Sequence, residues 1–355
     1  MAFSEKIVQR KALEDFCIEA MRKAGMNKEQ ARITAEVLVT NDTLGVTTHG
    51  SKQLRLLLNS MKNGGLNPKA QPQIISEGPG WAIIDGNYTM PMVTCCQAMQ
   101  TAISKAKNTG ISYVGVKNSS HFAAAGYYAN LAAKENMIGL AMCNVDPCMA
   151  IPGAKSEVIG TNPIGYAVPA GKEKPVFLDI ATSVTAISKV YAAKVLGKKI
   201  PENWLIDAEG NMTTDPSKYP GEGAILPMAG HKGYGIAVLI EVLSGVLTGA
   251  GFTKGVKRWL TEFKEPVNQG HAFLAINIGA MMPIQQFKDR MDAMIQEIRS
   301  APKAKGADRI YLPGEMEWEK QQASGEKITL PGDSVERLVG MAEDWGLDIT
   351  KIFKE

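Results

Sequence analysis

The stretch "ISYVGVKNSSHFAAAGYYANLAAKENMIGLAMCN", Ile111 to Asn144, carries three structural signals in succession. ISYVGVKN is rich in β-branched and aromatic residues bounded by polar ones, which predicts a strand. AAGYYANLAAKENM is alanine-rich, contains no proline and predicts a helix. IGLAMCN is a short apolar run and predicts a second strand. This strand–helix–strand order makes the chain α/β. His121, one of four histidines, falls in the link between the first strand and the helix. α/β proteins bind ligands at that end of their strands, although a ring there also serves as a local helix cap.

Upstream, "PQIISEGPGWAIIDGNY" (72–88) reads as short strands and "QAMQTAISKAKNTG" (97–110) as a helix. Downstream, "KPVFLDIAT" (174–182) and "GHAFLAINI" (270–278) read as buried strands. Residues 8 to about 62 read as helices, with Asn27 as an N-cap, Gly45 as a stop and a helix beginning near Ser51. "PIQQFKDRMDAMIQEIRS" (283–300) and "DSVERLVGMAEDWG" (333–346) predict two more helices. The expected organisation is a helical part built from residues 1–76 and 285–355 around a central α/β unit, 77–284.

Composition narrows the function. A net charge of +3, evenly spread, leaves no footprint for nucleic acid. Five cysteines, odd in number and without a C-x-x-C pair, read as reduced thiols of a cytoplasmic protein. The N-terminus mixes acids and bases and has no apolar h-region, so no signal peptide is expected. The apolar run "GYGIAVLIEVLSGVLTGAGF" (233–252) carries Glu241 and several glycines, which predicts a buried helix rather than a membrane span.

No G-x-G-x-x-G follows a strand; "GPGWAI" and "GEGAIL" lack the third glycine and read as turns, so a Rossmann domain is not expected. No metal is expected either, because no histidine or cysteine spacing matches a zinc site. No G-x-S-x-G elbow supports a serine hydrolase. In "MAGHKGYGIAVLIEVLSG" (228–245), Gly230, Gly233 and Gly235 open an apolar helix with Lys232 at its positive end. That arrangement suits an anion, or simply close helix packing. Asp179, Thr182 and Ser183 in "LDIATS" suit a ribose or a carboxylate, or an ordinary turn. His271 reads as structural and His231 as surface. His49, in "GVTTHGSKQL" (45–54), stands before a helix start whose dipole disfavours the imidazolium. A neutral ring suits proton exchange with a hydroxyl or carbonyl oxygen, with Thr48 positioning it; otherwise the ring merely ends a loop.

Taken together, "THG" (48–50), "NSSHFAAAGYYANLAAKENMIGLAMCN" (118–144), "GTNPIGYAVP" (160–169), "LDIATS" (178–183), "LPMAGHKGYGIAVLIEVLSGVLTGA" (226–250), "GHAFLAIN" (270–277) and "LPGE" (312–315) resemble the malate/L-lactate dehydrogenase family of the non-Rossmann kind. The resemblance implies a homodimer that uses NAD or NADP, with a mixed-sheet nucleotide-binding fold of its own and helices from both chain ends in the dimerisation part. It implies proton transfer by His49 with Thr48 beside it, and a second active-site histidine, His121, that also borders the cofactor. Cofactor contacts carry over to Asp179, Ile180, Ala181, Lys232, Gly233, Gly314 and Glu315, and substrate contacts to Thr182 and Ser183. The implied reaction is hydride transfer to or from a small 2-hydroxy or 2-oxo acid. Reduction of a cyclic imine is the alternative, and a nucleotide-binding protein without turnover the third reading. Two positions depart from the family pattern. Gln53 stands where relatives commonly place an arginine suited to a substrate carboxylate, and helical spacing points the nearby Arg55 and Lys52 in other directions. Ser188 precedes Lys189 where many relatives have glycine.

Overall fold

The computed structural model describes residues 3–353. A short strand β1 (Lys6–Gln9) leads into helices α1 (Arg10–Lys23), α2 (Lys28–Thr43) and α3 (Leu54–Asn63). Then follow β2 (Gln73–Gly78), β3 (Trp81–Asp85), α4 (Pro91–Thr109), β4 (Ile111–Ser119), α5 (Ala125–Lys134), β5 (Met137–Cys143), β6 (Ile164–Val168) and β7 (Val176–Ile180). Helix α6 (Ile187–Val195) precedes three two-residue strands, β8 (Leu205–Ile206), β9 (Met212–Thr213) and β10 (Ala224–Ile225). The chain ends with α7 (His231–Glu241), β11 (Gln269–Asn277), α8 (Ile284–Ser300), α9 (Glu315–Ser324), β12 (Lys327–Leu330) and α10 (Gly332–Trp345).

Seven strands form one mixed sheet in the order β2-β3-β4-β11-β5-β6-β7. Only β3 and β4 pair in parallel, joined by the α4 crossover; the remaining neighbours are antiparallel. β11 therefore lies at the centre, flanked by the two strands of the opening stretch. The expected mixed sheet without a Rossmann order is what forms.

The main core runs from Leu13, Phe16 and Leu38 through Leu54 and Leu58 to Ile84, Val114 and Phe273, and takes in Leu338 and Met341 of α10. Both chain ends thus pack onto the sheet and onto each other. Helix α8 sits elsewhere: its Ile295 joins Ala170, Val176 and Leu312. Its Asp292 accepts from the N–H groups of Gly171 at 2.9 Å and Lys172 at 2.7 Å, closing the turn between β6 and β7. Asn27 caps α2 as expected, accepting from the Gln30 N–H at 2.8 Å.

Two expectations need correction, and one helix has no counterpart among them. Val8 and Gln9 begin no helix; they belong to β1, which pairs with β12, a strand the hydrophobic pattern is too short to reveal. Helix α9 also went unread, because its charged sequence EMEWEKQQAS has no apolar period. The apolar helix α7 is not buried. It turns Gly233, Ala237, Ile240 and Glu241 inward, while Ile236, Val238 and Leu239 face out, Leu239 58% exposed. Val242, Val246 and Leu247 of the following π-turn extend that exposed apolar face. The helix is apolar over most of its surface, and one side has no partner among the described residues.

Candidate active site

The Thr47–His49 and Ser51–Gln53 segments are single 3-10 turns, and the α-helix starts only at Leu54. The half-buried His49 is held through its side chain and through its backbone. Its Nδ1 lies 2.9 Å from the Thr48 hydroxyl, and its carbonyl accepts from the Asn41 side chain at 3.0 Å. Its pKa is lowered to about 4, first by desolvation and then by the charge of Lys52. The ring is neutral as expected, but burial rather than a helix dipole is the cause. Gly50 has a steric reason: a Cβ there would stand 1.8 Å from the Asp42 carboxylate.

His121 leaves β4 two residues past its end and meets His49, the ring centroids 5.3 Å apart. It is buried, and its Nε2 has no hydrogen-bond partner among the described residues. Burial, reinforced by His49 and His271, holds its pKa well below the usual imidazole value. Trp259 stacks on it at 4.0 Å with the ring planes 4° apart. Nothing in the sequence pattern singles out Trp259; only a loop that returns across the site brings it there. That loop is pinned by Arg258, which pairs with Glu157 and lies 3.5 Å from Asp146. Beneath the pair, Phe122 stacks on Tyr128, and the fully buried His271 contacts the Ser119 hydroxyl at 3.0 Å, the structural role expected of it.

The other singled-out residues gather around β7 and the turn that follows it. Asp179, at the end of β7, accepts from the Gly126 N–H in the first turn of α5 at 2.8 Å, and burial raises its pKa to about 6. Ile180 ends the strand and Ala181 follows it. The Thr182 hydroxyl is spent on the Thr161 carbonyl at 2.9 Å and that of Ser183 on the Thr185 carbonyl at 2.7 Å, so both brace the turn. Gly233 packs against that turn, where a Cβ would come within 2.9 Å of the Thr182 carbonyl. Lys232, beside it, is exposed at the α7 N-terminus with no ion pair among the described residues. Gly314, at φ +89°, sits over the Phe177 ring. Glu315 is held by Arg299 and Arg309 and by the Leu312 N–H at 2.7 Å, so its carboxylate is a brace for the turn.

Around the departure from pattern, Gln53 donates to the Thr48 carbonyl. Lys52 pairs with Asp333 at 2.5 Å and Arg55 with Asp344 at 2.8 Å, both on α10. Both cations reach across to α10.

The profile of the malate/L-lactate dehydrogenase family matches residues 8–339. The chain belongs to this family. It is accordingly a dehydrogenase, an oxidoreductase of the CH–OH class. A malate dehydrogenase of Pyrococcus horikoshii is 39% identical over 315 residues, covering 87% of this chain and 86% of that protein. The solved sulfolactate dehydrogenase of Methanocaldococcus jannaschii superposes with a TM-score of 0.91 at 36% identity, over 98% of this chain and 99% of that one. A Δ1-piperideine-2-carboxylate reductase from Pseudomonas syringae pvar. tomato superposes with a TM-score of 0.84 at 26% identity, over 95% and 100%. Of two further relatives, one is named for NAD(+) and another for NADP(+).

Proposed function

We propose that this dehydrogenase moves a hydride between a nicotinamide dinucleotide, NAD or NADP, and the C2 carbon of a small 2-hydroxy or 2-oxo acid. The observation that carries the reading is the pair of desolvated imidazoles 5.3 Å apart, with His121 Nε2 buried and unpaired. When bound, the nicotinamide supplies the hydride acceptor or donor. His49 is the proton-transfer group. If its Nδ1–H donates to the Thr48 hydroxyl, Nε2 keeps a lone pair that takes the substrate hydroxyl's proton. In reduction the same nitrogen returns the proton, and the charge developing on the alkoxide oxygen favours the protonated ring. His121 Nε2 orients that oxygen, and Trp259 keeps water from its ring face. The residues present suit the dinucleotide: Lys232 and Gly233 at the α7 N-terminus for its phosphates, and Asp179 with one oxygen to spare for a ribose, bordered by Ile180, Ala181, Gly314 and Glu315. Lys232→Ala is expected to weaken cofactor binding about tenfold, more at low salt, as read by NAD(P)H fluorescence titration.

Gln53 sets the substrate. With Lys52 and Arg55 paired to Asp333 and Asp344 of α10, position 53 itself brings no charge to the substrate, so a substrate with a neutral group at that point is preferred. Gln53→Arg is expected to raise kcat/KM for malate or lactate by roughly tenfold, because a guanidinium grips a carboxylate bidentately. A panel of 2-oxo acids tests this, and an unchanged ranking would remove Gln53 from substrate recognition. Cyclic imine reduction is the second reading, supported by the likeness to the piperideine-2-carboxylate reductase.

The enzyme works as a cytoplasmic homodimer, a reading supported by five free thiols and by the uncovered apolar face of α7. The end segments 1–76 and 285–355 join the dimerisation part, with Met294 and Ile298 of α8 and Met316 of α9 exposed. Burying such a face stabilises association by about 25 cal/mol per Å². Leu239→Asp combined with Val246→Asp is expected to give monomers in analytical ultracentrifugation; an unaltered dimer would move the interface elsewhere.

A further inference from the structure

Behind the His49 turn lies a carboxylate that the proposed chemistry does not use. Asp42, near the end of α2, is 3% exposed. Its Oδ2 accepts from the Ser51 N–H at 2.9 Å, and its Oδ1 is buried without a partner among the described residues. The Gly50 Cα packs so tightly on the carboxylate that no side chain fits between them. The neighbouring Asn41 holds the His49 carbonyl at 3.0 Å. Two backbone bonds, Gly45 N–H to the Asp42 carbonyl and Val46 N–H to the Asn41 carbonyl, complete the clasp. The end of α2 thus grips the turn on both sides of His49.

We propose that Asp42 is a positioning residue for the reaction, fixing the His49 ring toward His121 through the Ser51 N–H and making the hold on the turn depend on its own ionisation. The inference rests on His49 being the proton-transfer group. An ionised carboxylate accepts a charge-assisted hydrogen bond, roughly twice as strong as a neutral one. The groups facing Asp42 are Lys52 of its own turn, whose charge is shared with Asp333, and the Cys17 thiol of α1, which is neutral. Desolvation outweighs Lys52 and the Ser51 bonds and raises the Asp42 pKa to about 7. The raised pKa means that the buried site favours the neutral acid, so ionisation strengthens the Ser51 bond alone but loosens the buried turn as a whole as pH rises through neutrality.

Two variants and one spectroscopic readout test this. Asp42→Asn keeps an acceptor for Ser51 but cannot ionise; Asp42→Ala removes the acceptor. The four histidines make labelled imidazole NMR resolvable. Wild type is expected to show a step in the His49 resonance near pH 7 that Asp42→Asn abolishes, and a matching step of a few-fold in kcat/KM. Asp42→Ala is expected to lower kcat about tenfold with cofactor Kd unchanged and to move the His49 titration up toward 6.5. A wild-type His49 resonance without that step would overturn the proposal, as would a folded Asp42→Ala with wild-type kcat. If wild type turned over no substrate, the proposed reaction would fail, while the resonance would still decide the clasp.

Discussion

His49→Ala is expected to lower kcat by roughly 10²–10⁴-fold, the range for removing a general acid–base group, while cofactor affinity stays nearly unchanged. The split follows from the geometry. His49 touches His121 and the Thr48 hydroxyl, whereas the residues suited to the dinucleotide lie along β7, the α5 start and the α7 start. Its lowered pKa adds a second expectation with a definite sign. A neutral ring is the base for oxidation, so activity is lost only when the ring gains a proton. With the pKa at about 4, the full acid decline in kcat/KM for oxidation falls near pH 4 rather than 6.5. The Asp42 step near 7 is partial and separable from it. A full decline at 6.5 would mean that the ring is hydrated during turnover.

Gly165→Ala is expected to have a large effect on both the fold and the site. A Cβ on this β6 residue would stand 2.6 Å from the Gly126 nitrogen and 2.8 Å from the Ala125 carbonyl carbon. Both atoms are backbone at the start of α5, so no rotamer change relieves the clash. Overpacking of this kind costs about 1–3 kcal/mol. Relief by tilting α5 off the sheet would break the Gly126 N–H bond to Asp179 and shift the His121 link that feeds the helix. Thermal melting should show a lowered Tm together with weakened cofactor binding; Tm and binding both equal to wild type would mean that α5 does not rest on β6 as described.

The sequence made the frame legible where period and turn chemistry agree. The strand–helix–strand at 111–144 and the Asn27 cap needed only local rules, and both form. His49 and His121 were legible as candidates because each stands at the mouth of an element. Their meeting was not, since it depends on β4 and the α2–α3 turn packing around one core. Thr182 and Ser183 read as free hydroxyls because sequence cannot show which carbonyls will claim them. Trp259 and Asp42 were invisible for the same reason: one arrives on a loop with no periodic signal, the other hides on an otherwise ordinary helix face. The positions of Lys52 and Arg55 became interpretable only with Asp333 and Asp344 opposite them.

The central claim is direct hydride transfer between nicotinamide and the substrate's C2 carbon. Turnover of a 2-oxo acid with NAD(P)H deuterated at the nicotinamide C4 position tests it most directly, with the product read by mass spectrometry. The account predicts one deuterium bonded to C2 of the hydroxy acid, formed by wild type and nearly absent with His49→Ala. Product without deuterium from either C4-labelled face, or a variant that labels product at the wild-type rate, would contradict it.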